Sequence, residues 1–211
     1  MLNKLGNLHL YTFLLIISFN SSLAGQSKPL PDNCKINCLS EYGQVLGISR
    51  SGVKAYSNCQ SDCVIYEPHQ WKGTYTGIKW QCVEYARRWL LINKGLVYGD
   101  VDIAADIWTK ISSLTEVSTN KLHPLASYLN GSKQAPAVGD LLIYSQEFNK
   151  TGHVAIVTHV DTSNGFIDVA EQNFSNKTWP DNYARRIELI NKDGAYWLLD
   201  QYLLGWKHIS N

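Results

Sequence analysis

The chain has 211 residues, 45% of them apolar and only 18% charged, with a formal net charge of +1. That length holds one compact catalytic domain with a sizeable core. A near-neutral balance without a run of like charges excludes an electrostatic nucleic-acid binder and a basic membrane-surface helix.

In chain order, residues 1–24 read as a secretory signal peptide. Lys4 is the one charged residue in this segment, an apolar run from Leu8 to Phe19 follows it, and Ser22 and Ala24 stand at −3 and −1 of a small-residue cleavage site. The apolar run is short for a bilayer span, so no membrane span is expected after cleavage. The expected compartment is the periplasm or the outside medium. Removal of the segment takes Lys4 with it and leaves basic and acidic residues in formal balance.

Residues 25–42 read as an N-terminal linker carrying the first cysteine pair. Cys34, Cys38, Cys59 and Cys63 form two C-x-x-x-C pairs, and Cys82 stands apart. In an exported chain the four are natural disulfide partners and the odd one is a candidate free thiol. A nested pairing of Cys34 with Cys63 and Cys38 with Cys59 would staple the intervening segment; the other two connectivities and a four-cysteine zinc site are the alternatives.

Residues 43–57 hold two apolar patches around a Ser-Gly turn and predict a β-hairpin, whereas residues 64–80 read as loop. Residues 82–94 form the clearest helix, with Val83, Ala86 and Leu90 on one 3.6-period stripe and Gly95 as the stop. A second helix is expected over 102–110. From Pro136 the pattern turns to strands, over 140–144, 153–160, 166–173, 185–190 and 196–199. Helices followed by antiparallel strands predict an α+β domain spanning 43–211.

Cys82 stands at the first turn of the predicted helix. Free N–H groups and a partial positive charge at a helix N-terminus favour thiolate over thiol and can hold an oxyanion; a buried structural cysteine is the bland alternative. His153 opens an apolar strand directly after Gly152, and Phe166 to Asn173 form the next strand. With a five-residue loop over 161–165, His153 falls opposite Asn173 and Ala155 opposite Glu171, so His153, Glu171 and Asn173 share one face. A two-residue Asn164-Gly165 turn would break that register. One strand pair then supplies a base and its orienting partner while the helix supplies the nucleophile, the logic of thiol hydrolases.

The segments Lys79–Trp89, Gly139–Tyr144, Thr151–Val157 and Ala170–Asn173 resemble the CHAP domain, the cysteine- and histidine-dependent amidohydrolase/peptidase family, and more narrowly its glutathionylspermidine-cleaving amidase branch. The likeness runs from about Gly43 to Lys207. It implies a papain-like, CHAP or NlpC/P60-type α+β fold, with N-terminal helices packed on an antiparallel sheet and neither metal nor organic cofactor. Under it, Cys82 matches the nucleophile, His153 the general base and Glu171 the residue that orients His153, with Asn173 the other candidate. Gln81 is implied to line the oxyanion site and Arg87 to meet a substrate carboxylate.

The implied reaction is amide hydrolysis through a thioester. The implied substrate is a peptide or peptide conjugate, either a peptidoglycan peptide or a glutathionylspermidine-like amide. No nucleic-acid partner is expected, and the sequence names no inhibitor or immunity protein. The export signal and the four clustered cysteines depart from the intracellular amidase pattern. The alternative from another class is a non-catalytic glycan- or peptide-binding module using Trp71, Tyr75, Trp179 and Trp197. Asn130, Asn149, Asn173 and Asn176 each open an N-x-Ser/Thr triplet, and Asn173 is expected bare because a glycan there would block the site.

Overall fold

The computed structural model describes residues 29–210; the expected signal peptide lies outside them. A 3₁₀ turn at Asp32–Cys34 is followed by a hairpin of β1 (Val45–Ile48) and β2 (Lys54–Tyr56), and by a second hairpin of β3 (Pro68–Trp71) and β4 (Thr74–Ile78). Then come α1 (Cys82–Lys94), β5 (Leu96–Val97), α2 (Asp106–Lys110), β6 (Ser113–Glu116) and β7 (Leu122–Leu129). The chain continues through β8 (Leu141–Tyr144), β9 (His153–Asp161), β10 (Phe166–Ala170), β11 (Arg185–Lys192), β12 (Ala195–Leu198) and β13 (Leu203–Ile209).

Nine strands form one antiparallel sheet in the order β12-β11-β10-β9-β8-β13-β7-β6-β5. Helix α1 packs on it. Tyr85, Ala86, Trp89 and Leu90 of α1 join Leu141, Ile143, Val154 and Ile156 in one buried cluster. The alternate residues of β8 and β9, Leu142, Tyr144, Ala155 and Val157, join β10, β11 and Trp206 in a second cluster. Each fully buried aliphatic side chain contributes about 1.5–3 kcal/mol, and truncating Leu90 to Ala would cost about 2–5 kcal/mol. Gly95 ends α1 in the left-handed conformation, its N–H donating to the Leu90 and Leu91 carbonyls. Gly77, at φ 136°, lets β4 press on the helix, since a Cβ there would stand 2.9 Å from the Glu84 Cα.

The structure corrects several expectations. The segment 64–80 is a hairpin, because Lys72 and Gly73 both take positive φ and form a two-residue turn between Trp71 and Thr74. The helix expected over 102–110 shortens to Asp106–Lys110, since the Ala105 N–H turns away to the Thr151 carbonyl. Strands begin well before Pro136: β6 and β7 were hidden by Pro124, which is accommodated inside β7 opposite Ser113. Helix α1 precedes every strand of the nine-stranded sheet, as expected, whereas α2 is inserted between its first two strands in chain order, β5 and β6. No helix among the described residues is long and apolar enough to cross a membrane.

The four clustered cysteines form the nested pair of disulfides, Cys34–Cys63 and Cys38–Cys59. Cys82 is the free cysteine among the described residues, and it is buried.

Candidate active site

The β9–β10 hairpin sets the site. Its loop is one residue shorter than expected, with Asp161 opposite Phe166 and Val160 opposite Ile167. Asn164 closes it by donating its backbone N–H and its side-chain amide to the Asp161 carboxylate at 2.9 and 2.8 Å. This one-residue slip would have turned every later side chain to the wrong face. A bulge at Thr158 cancels it, so Val169 pairs with Val157 and Ala170 with Ile156, as the longer loop would have given. Glu171 thus leaves the strand beside His153.

His153 is the first residue of β9 and is 1% exposed. Gly152 before it sits at φ 70°, where a Cβ would meet the Tyr144 carbonyl at 2.6 Å and the Ala105 Cβ at 2.8 Å. The chain thus turns into the strand with no room for a side chain. The imidazole lies among the rings of Tyr144, Phe148 and Phe174, with centroids 5.2–5.7 Å away. Its Nε2 and the Glu171 Oε2 are 2.8 Å apart, and Cys82 lies close enough to the imidazole to bear on its charge. Burial alone would depress the imidazole pKa. The adjoining Cys82 and then Glu171 outweigh burial and push it up to about 9.

Glu171 is 2% exposed. Burial would raise its pKa, but the Arg185 charge and the His153 hydrogen bond lower it to about 2. Arg185 Nε donates to Glu171 Oε1 at 2.5 Å, and a terminal N–H donates to Oε2 at 3.2 Å. The guanidinium also reaches Asp200 Oδ2 at 2.8 Å and the Tyr144 hydroxyl at 2.9 Å. Tyr144 in turn donates to Asp200 at 2.6 Å.

Cys82 opens α1. Its N–H and that of Val83 belong to the first helical turn, which has no intrahelical acceptor for them. Cys82 and His153 line the same cleft, about 740 Å³ in volume. Asp62, Asp100 and Asp102 line it as well, with Tyr66 and Tyr75 also on its wall and Lys150 on the His153 side.

The other expected residues line the same cleft but have partners of their own. Asn173 lies beyond the end of β10 at Ala170, takes φ 58° and donates to Gln81 Oε1 at 2.6 Å. Gln81 lines the cleft, and its amide nitrogen donates to the Cys63 carbonyl at 3.1 Å, tying the residue before Cys82 to the stapled segment. Arg87 borders the cleft but donates to the carbonyls of Tyr98, Thr76 and Gly99 at 2.9, 3.1 and 2.8 Å and pairs with Asp100 at 3.0 Å. Three of its five donors thus go to backbone carbonyls, which fix the guanidinium on the cleft wall. Of the four aromatic residues of the binding-module alternative, Tyr75 lines this cleft, whereas Trp179 lines a separate 190 Å³ cavity.

Sequence reading missed Arg185, Asp200 and Tyr144. A signal existed: Arg185 and Arg186 are consecutive on a strand and must face opposite sides. Arg186 pairs with Asp168 at 2.8 Å, and Arg185 points into the site.

Residues 73–173 match the CHAP domain family model. The chain carries a CHAP domain. It is 36% identical over 183 residues to the bifunctional glutathionylspermidine synthetase/amidase of Escherichia coli (strain K12), covering 78% of this chain and 29% of that protein. It is 33% identical over 173 residues to a trypanothione synthetase of Crithidia fasciculata, covering 78% and 26%. A glutathionylspermidine synthase of Crithidia fasciculata is 35% identical over 136 residues. The chain therefore spans less than a third of the length of these relatives. The CHAP match and the amidase relatives support a hydrolase of the amidase or peptidase kind.

Proposed function

We propose that the chain is an exported amidase that cleaves an amide bond through a thioester on Cys82, with His153 as general acid–base and Glu171 as its orienting partner. The observation that carries this reading is that Cys82 and His153 line one cleft while Glu171 holds the His153 ring at 2.8 Å from behind it. It corresponds to a papain-like division of labour, with sulfur on a helix start and imidazole on a strand.

In the acylation step the Cys82 sulfur bonds to the substrate carbonyl carbon, and the first-turn N–H groups hold the oxyanion. The C–N bond then breaks as His153 passes its proton to the leaving amine. In deacylation His153 takes a proton from water, whose oxygen attacks the thioester, and the sulfur departs. Acid–base help of this kind supplies about 10²–10⁴-fold, and an oxyanion donor supplies about 10²–10³-fold more.

Asp62 in the cleft wall, with the Tyr66 and Tyr75 rings, suits a substrate with a cationic amine portion, while Asp100 and Asp102 face Arg87 and Lys110. A glutathionylspermidine-like peptide–polyamine amide has that character. The two disulfides are compatible with an oxidising compartment outside the cytosol. Incubating the purified protein and its Cys82→Ala variant with glutathionylspermidine and, separately, with muropeptides, followed by mass spectrometry of the products, tests the reading. Cleavage of the conjugate by the unaltered protein alone supports it. Cleavage of muropeptides alone moves the substrate to the cell wall, and turnover persisting in Cys82→Ala removes the mechanism.

A further inference from the structure

We propose that Arg185 is a positioning residue of this site, a fixed countercharge that keeps Glu171 ionised and aimed at His153 while the imidazole gains and loses its proton. The inference rests on the proposed roles of Cys82, His153 and Glu171. It concerns a residue beyond the region 73–173 that matches the family model.

Three observations carry it. The guanidinium grips both oxygens of Glu171, at 2.5 Å to Oε1 and 3.2 Å to Oε2, so the carboxylate cannot rotate away from the ring that shares Oε2. The guanidinium is itself clamped, with Phe174 stacked 3.9 Å from it, Asp200 at 2.8 Å and the Tyr144 hydroxyl at 2.9 Å. Glu171 is almost fully buried, where an unpaired carboxylate is strongly disfavoured.

The chemistry makes this grip necessary. His153 is the other polar partner of Glu171, and its charge is not constant. When it passes its proton to the leaving amine, Glu171 faces a neutral ring and would take up a proton or turn aside. Arg185 stays charged at every stage, and Asp200 balances it from behind. The groups facing Glu171 are thus His153 from β9, Arg185 from β11, Tyr144 from β8 and, beyond the imidazole, Cys82 from α1. Arg185 contributes the largest effect that opposes burial.

The test compares the unaltered protein with Arg185→Met, Arg185→Lys and Cys82→Ala, recording kcat and KM against pH. Arg185→Met should lower kcat about 10- to 100-fold with KM changed less than about threefold. It should also move the acid limb of the profile up by about one pH unit or more, because Glu171 then protonates more readily. Arg185→Lys keeps the charge without the two-point grip, so its acid limb should stay in place while kcat recovers only in part.

An Arg185→Met profile superimposable on that of the unaltered protein overturns the inference. If circular dichroism shows that Arg185→Met does not fold, Arg185→Lys decides, and native kcat in that variant overturns it. Residual turnover in Cys82→Ala sinks the proposed reaction instead, so the two failures are distinguishable.

Discussion

Among the described residues two histidine–carboxylate pairs have an arginine on the carboxylate, and they have different surroundings. His153 and Glu171 approach to 2.8 Å at the cleft, and His69 Nδ1 and Glu84 Oε1 approach to the same distance beside α1. Each carboxylate is also held by an arginine, Arg185 in one case and Arg88 in the other. Around the first pair are a free cysteine and a 740 Å³ cleft. Around the second are Thr76, Gln172 and the Trp80 ring, and Glu84 is 0% exposed. The Gln172 amide donates to Glu84 and to the Gln81 carbonyl, at 3.0 and 3.1 Å, joining the start of α1 to the segment after β10. A histidine–carboxylate pair thus does not specify chemistry; a nucleophile and access for a substrate do. The same unit elsewhere serves as a brace.

Four substitutions sharpen the contrast, in falling order of effect on turnover. Cys82→Ala should reduce amide hydrolysis by at least about 10⁴-fold with unchanged circular dichroism. Glu171→Gln should reduce kcat by about 10²–10⁴-fold. It should also shift the alkaline limb, which in the unaltered protein follows loss of the His153 proton near pH 9, to lower pH, because the anion that helps hold the proton is gone. Glu84→Gln leaves Arg88 buried without its anion. Urea unfolding should show a loss of about 3–5 kcal/mol, with the alkaline limb unmoved. His69→Ala should leave kcat/KM within about threefold. A large loss in that variant, with the fold intact, would give the second pair a role in turnover.

The pH dependence of stability follows the same division. Glu171 and Glu84 have folded pKa values below the ordinary carboxylate value. Their contribution is present above about pH 4.5; that of Glu171 is lost as pH falls toward 2, and that of Glu84 is lost on the acid side of its ordinary value. His153 is raised, so its contribution is complete below about pH 6.5 and is lost as pH rises through about 9. Thermal melts across pH should show both falls. Glu171→Gln should remove most of the alkaline one and Glu84→Gln none of it.

The most regular parts of the fold were legible in the sequence: α1, with its stripe and glycine stop, and the apolar strands β8 and β9. The hairpin β3–β4 was not, because its signal lay in two residues, Lys72 and Gly73, at positive φ where only one is glycine. The relation of His153 to Glu171 was reached through a register that assumed too long a loop and no bulge, two errors that cancel at Thr158. The surroundings of Arg87 were not legible, because a helical arginine gives no sign that three backbone carbonyls await it. The partnership of Arg185, Asp200 and Tyr144 joins positions up to 56 residues apart. No local pattern marks that kind of contact.

The two cystines bear on how the protein must be handled. The Cys63 carbonyl anchors the side chain of Gln81, which immediately precedes Cys82. A thiol reagent added to rescue an oxidised Cys82 is also able to open the staples, of which Cys38 is the more accessible end. Raising the dose of dithiothreitol should therefore first restore and then erode turnover, and the optimum should broaden when the reagent is removed by gel filtration before substrate is added.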